Sequence, residues 1–118
     1  MVAAKYNFLC EQGAKFERTL TLTDPDGDPL DLTGYSIAMQ VRRDVRSDAV
    51  VAELTTEGGE ITIGEDGQIT LFLPATVTAD LSSDGVYDLE LIPPSGPEYA
   101  EKVLRGVFRV EREVTRDA

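Results

Sequence analysis

The stretch LTLTDPDGDPLDLTGY, residues 20–35, places Asp24, Asp26, Asp28 and Asp31 close together. Alternating carboxylates are the raw material of a calcium site. A loop of the EF-hand type needs oxygen ligands at its first, third and fifth positions, a glycine at the sixth for the sharp bend, and a bidentate glutamate at the twelfth. Counted from Asp24, the three aspartates fall correctly, but Pro29 stands sixth and Tyr35 twelfth. The composition of DPDGDP suits a tight link between two strands better: Pro25 fixes φ, Asp26 and Gly27 supply the turn, and Pro29 restarts an extended chain. A cation would relieve repulsion among the carboxylates, so weak calcium association is compatible with a turn. Tight binding is not expected.

The remaining chemistry-bearing residues point the same way. EGGE and GEDG hold paired carboxylates, but each lies in an expected hairpin turn with no apolar wall to raise a pKa. In VRRDVRSD the charges of Arg42, Arg43 and Arg46 are offset by Asp44 and Asp48, too balanced for a phosphate patch. There is no histidine, no glycine-rich phosphate loop and no nucleophile with an orienting base. The single cysteine, Cys10, closes the apolar run YNFLC and reads as buried filler. No catalytic residue, cofactor site or metal site is assigned, and an enzyme is not expected.

Charge narrows the partners. With 22 acidic against 11 basic residues the net charge is -11, a field that repels phosphate backbones and anionic lipid. Nucleic acid and membrane surfaces are therefore not expected partners. The N-terminal MVAAKYNFLC lacks the apolar run of about 7–15 residues of a signal peptide, and no segment reaches the roughly 20 apolar residues of a membrane span. Synthesis in a cytoplasm without export by a signal peptide is the expectation.

The elements that must position these residues follow a period of two. In KFERTLTLT, Phe16, Leu20 and Leu22 share a face and only Arg18 breaks it. Tyr35, Ile37, Met39 and Val41 alternate with polar residues, as do Val50, Ala52 and Leu54. EITIGEDGQITLFLP reads as a hairpin, with Ile61 and Ile63 before the turn and Ile69, Leu71 and Leu73 after it. PATVTADLSSDG breaks the rhythm and predicts one short helical turn, with Thr76 as its cap and Leu81 returning to the core. Tyr87, Leu89 and Leu91 then point inward. In YAEKVLRGVFRVEREV the inward set is Leu104, Gly106, Phe108 and Val110, which leaves Val103, Arg105, Val107 and Arg109 outward. No sustained helical repeat appears. A single all-β domain over residues 1–118 is expected: an antiparallel, immunoglobulin-like β-sandwich of about seven to nine strands with at most one short helical turn. Only the ends, MVAAK and TRDA, are expected to be loose.

The ordered series EQGAKFERTLTL, DLTGY, GQITLFLPATVTADL, YDLEL and a terminal G-x-F-x-V followed by VTR resembles a group of small phage and prophage structural proteins, over nearly the whole chain. It is similar, more loosely, to the N-terminal domain of baseplate upper proteins, which tether receptor-binding proteins to some phage tails. The resemblance implies a non-enzymatic virion component without catalytic residues, present in several copies in a symmetric assembly. Its partners would be other virion proteins, in a tail, neck or baseplate adaptor on which a fibre or receptor-binding protein docks. A head decoration protein on the capsid is the neighbouring alternative. A carbohydrate-binding module is the alternative from another class, and the absence of tryptophan counts against it. The half-apolar face bearing Val103, Arg105, Val107 and Arg109 is the expected partner interface.

Overall fold

The computed structural model describes residues 3–115. Its strands, in chain order, are β1 (Ala4–Lys5), β2 (Phe8–Glu11), β3 (Phe16–Thr21), β4 (Ser36–Arg42), β5 (Val50–Thr55), β6 (Ile61–Ile63), β7 (Gln68–Leu73), β8 (Gly85–Ile92) and β9 (Glu101–Glu111). One helical turn, α1 (Ala75–Thr78), follows β7, and a short 3-10 turn spans Pro97–Tyr99. The larger sheet runs β1-β9-β8-β4-β5, with β2 also paired to β9; the smaller runs β3-β7-β6. The two sheets make an all-β sandwich, and the orders β4-β8-β9 and β3-β7-β6 follow the C-F-G and B-E-D orders of the immunoglobulin-like type.

Alternation explains the core. Phe8, Phe16, Ile37, Met39, Leu54, Ile69, Leu71, Leu89 and Phe108 point between the sheets and are buried. Their aromatic members form a chain of tilted and edge-on contacts, with Phe8 5.7 Å from Phe16 and Phe16 5.3 Å from Phe108. Arg18, the polar intruder of the sequence pattern, closes the open side of the sandwich. Its guanidinium lies 4.7 Å from the Phe16 ring centroid and donates to the carbonyls of Leu9 and Glu17. An inward-pointing charge on an edge strand also discourages further strand pairing.

The acidic segment is a turn. One Asp24 carboxylate oxygen accepts the amides of Asp26 and Asp28 at 2.9 and 3.0 Å, and the Asp24 amide donates to the Asp28 carbonyl at 2.8 Å. Next to it, DLTGY behaves as its composition suggests. Leu32 is buried, Gly34 takes a φ of 77°, and the Tyr35 amide closes the bend on the Leu32 carbonyl.

Several expectations are corrected. The larger sheet is mixed, because β1 and β2 run parallel to β9. Ala4 and Lys5, expected to be loose, pair with Leu104 and Arg105; residues 1–2 and 116–118 of the two ends lie outside the described residues. Pro74, rather than Thr76, caps α1, and it makes no side-chain cap. Two register shifts turn valines over. Between β4 and β5, Val41 faces Ala52 but Arg42 faces Val50, so Val51 is the extra residue and Val50 emerges 42% exposed instead of joining Ala52 and Leu54. Between β8 and β9, Leu89 faces Leu104 but Glu90 faces Lys102, so Val103 is extra. Val103 turns inward and is 6% exposed, and it is no part of an outer face. A strict count of two along the sequence misses both bulges because each adds one residue to one strand only.

Candidate docking face

On the outer face of the larger sheet the register assembles a row from five strands: Lys5, Arg105, Asp88, Gln40 and Glu53. The next row sets Val107 beside Val86, and Val86 beside Arg42. Arg105 and Val107, two of the expected interface residues, therefore come together with partners from β8, β4 and β1 in a groove of about 590 Å³. Arg109 lies further along β9, opposite Leu9 of β2, which is 43% exposed. Val103 sits on the other side of the sheet.

Gly106 makes this arrangement possible. Between β1 and β2 the chain arches across β9, and a Cβ at Gly106 would collide with the Tyr6 carbonyl and the Asn7 side chain. The Tyr6 amide donates to the Arg105 carbonyl at 2.8 Å, and the Val107 amide donates to Asn7 Oδ1 at 2.9 Å. From below, the Tyr87 hydroxyl donates to the Tyr6 carbonyl. Burial raises the pKa of that phenol, so it remains a donor and a fixed strut.

The charges on the face divide into satisfied and unsatisfied groups. Arg42 donates to Gln40 Oε1 at 2.8 Å and to the carbonyls of Ser47 and Asp48, and Gln40 donates to Glu53 at 2.7 Å. Lys102 bridges Asp88 at 3.3 Å and Glu90 at 2.9 Å. Burial alone would lower the Lys102 pKa, but the bonds to Glu90 and Asp88 outweigh it and hold the ammonium charged. Lys5 and Arg105 have no ion-pair or hydrogen-bond partner for their side chains among the described residues, although they are directly opposite one another in register.

A second polar centre holds the fold rather than a ligand. Thr78 is fully buried; its hydroxyl donates to the Ala14 carbonyl at 2.7 Å and accepts the Gly13 amide at 3.1 Å. Gln12 beside it donates to the Leu81 carbonyl at 2.7 Å and accepts the Glu113 amide at 3.2 Å. Together they tie α1, the β2–β3 turn and the end of β9. No local motif in the sequence marks either residue. Cys10 is buried, and burial pushes its thiol pKa up, which makes it a packing group. Among the described residues no group of histidine, cysteine and acidic side chains is arranged to hold a metal ion.

No family model matches this chain, and no curated protein matches it.

Proposed function

We propose that this protein is a non-enzymatic structural component of a phage virion, an adaptor in the tail, neck or baseplate on which another virion protein docks. The observation that carries the docking reading is the unsatisfied Lys5–Arg105 pair beside the exposed Val107, on the outer face of a sheet. Unpaired charge next to apolar surface is the makeup of a protein contact: the valines contribute desolvation and the charges select the partner. The virion reading rests on the ordered resemblance of the sequence to small phage structural proteins. Exposed aromatic residues, which a carbohydrate-binding module would present together, are here dispersed: Tyr6 before β2, Phe72 on β7 and Tyr99 in the 3-10 turn.

The test is incorporation into particles. A Val107→Lys substitution places a third cation beside Arg105 without touching the core. Particles assembled with it are expected to carry the protein at strongly reduced occupancy, while the isolated domain keeps its circular dichroism and melting temperature. Normal occupancy would remove this face from the assembly.

A further inference from the structure

The chain has an excess of acid, yet its charge is segregated. Four cations line the groove, Lys5, Arg42, Lys102 and Arg105, against two acids, Asp44 and Asp88. Arg42 and Lys102 are satisfied internally; Lys5 and Arg105 are not. Like charges directly opposite on neighbouring strands destabilise a sheet, and an anion resting between them removes the penalty. The acidic turn has the reverse character. Asp24 is consumed by the turn's own amides, but the carboxylates of Asp26 and Asp28 have no partner among the described residues. They flank Gly27, where an added Cβ would meet nothing within 4 Å, so the tip stands free. Pro25 and Pro29 restrict it, which lowers the ordering cost of inserting it elsewhere.

We infer that the Asp26–Asp28 tip of one copy of this chain docks in the Lys5–Arg105 groove of the next. Two unsatisfied carboxylates meet two unsatisfied cations, and the prolines of the tip meet the valines beside the groove. The contact joins different patches on the two copies, so it is head-to-tail: it closes into a ring or extends as a line according to the rotation between neighbours. Each chain carries a net charge of -11, so long-range repulsion opposes association at very low salt. Ions at about 0.1 M screen charges beyond about 10 Å while leaving close pairs partly intact. Association is therefore strongest at intermediate ionic strength. This inference shares its face with the docking reading above and adds a second copy as its occupant, but it concerns the purified protein and does not need the virion.

The test is sedimentation velocity over a concentration series with charge-reversed variants. Lys5→Glu/Arg105→Glu has an acidic groove and an acidic tip; Asp26→Lys/Asp28→Lys has a basic tip and a basic groove. Each variant alone is expected to dissociate at least about tenfold more readily than the wild-type chain, a change of about 1.4 kcal/mol. Mixing the two restores complementarity and is expected to restore association. The substituted side chains make no internal bond, and circular dichroism verifies that both variants fold. A wild-type chain that stays monomeric at every concentration and salt overturns the inference, as does a mixture that fails to associate or a variant that associates alone as well as the wild type. These outcomes are separable from the particle test: normal occupancy of Val107→Lys counts against the virion face, and a monomeric purified chain counts against the self-contact.

Discussion

In the acidic turn, the Asp28 amide reaches an Asp24 oxygen four residues away; in β9, the Val107 amide reaches Asn7 across 100 positions of chain. The first region closes its hydrogen bonds within itself and projects from the body. The second takes its shape from β8 on one side and from β1 and β2 on the other. The contrast teaches where each surface comes from. The tip's carboxylates are presented by local turn chemistry. The groove's cations are brought together only when the ends of the chain meet in one sheet. Damage to the turn should therefore remain local, whereas damage around β9 should spread through the fold.

The largest effect is expected at Leu89, which is fully buried and faces Met39 and Leu104 across its two neighbouring strands. Leu89→Ala should lose about 2–5 kcal/mol in denaturant melts. A loss under about 1 kcal/mol would mean that the larger sheet's centre is not the cooperative core.

The bulge in β9 gives a sharper contrast within a single strand. Val103→Lys buries an ammonium and should cost about 2–4 kcal/mol, whereas Val107→Lys, on the outer face, should stay within about 0.5 kcal/mol of wild type. Equal effects at the two positions would contradict the register shift that turns Val103 inward.

A smaller loss, about 1–3 kcal/mol, is expected for Thr78→Val, which keeps the side-chain shape but strands the Gly13 amide and the Ala14 carbonyl. Thr78→Ser should recover most of it, because the hydroxyl is what the latch requires. Failure of serine to recover stability would shift the cause to the lost methyl group.

The mildest response belongs to the turn. Asp24→Ala removes the acceptor of two amides and should cost about 0.5–1.5 kcal/mol, with Asp26→Ala near neutral. Calcium titration by calorimetry should show no micromolar isotherm. One that appears in the wild type and vanishes in Asp26→Ala would replace the turn with a cation site.

Nearby, both the amide and the hydroxyl of Thr33 donate to Asp31, and the hydroxyl's bond, then the amide's, holds that carboxyl below its usual pKa. A carboxylate with a depressed folded pKa contributes stability above its unfolded pKa and loses that contribution as pH falls through the folded value. The DLTGY bend should thus loosen only in acid, below the ordinary carboxylate range. Amide exchange at Thr33 followed against pH would show it, and protection already lost near neutrality would contradict the assignment.

Much of the core was legible along the chain because burial in a strand repeats every second residue. Phe16, Ile37, Met39, Leu71, Leu89 and Phe108 declare themselves by that count alone. Of the expected interface, Arg105, Val107 and Arg109 do face outward, and Val103 does not. Its error is the size of one inserted residue. Lys5 could not have been assigned to the face from its own surroundings, because its place is set by a parallel pairing with a strand from the far end of the sequence. Thr78 was illegible for a related reason: a threonine in a short helical turn looks like surface until the β2–β3 turn is brought against it.

The amino-acid sequence by itself determined the β class, the inward set of most strands, the turn character of DPDGDP and DLTGY, and the strongly acidic balance. These depend on residue type, on the two-residue repeat and on hydrogen bonds that close within a few positions. Only the tertiary structure decided which strands lie side by side, where the bulges at Val51 and Val103 reset the phase, and that Lys5 and Arg105 face one another unpaired on a sheet whose chain is otherwise rich in acid. The physical reason is the range of the interactions. Pairing β9 with both β8 and the N-terminal strands fixes contacts between residues separated by most of the chain, and such contacts leave no periodic mark in the segments that make them.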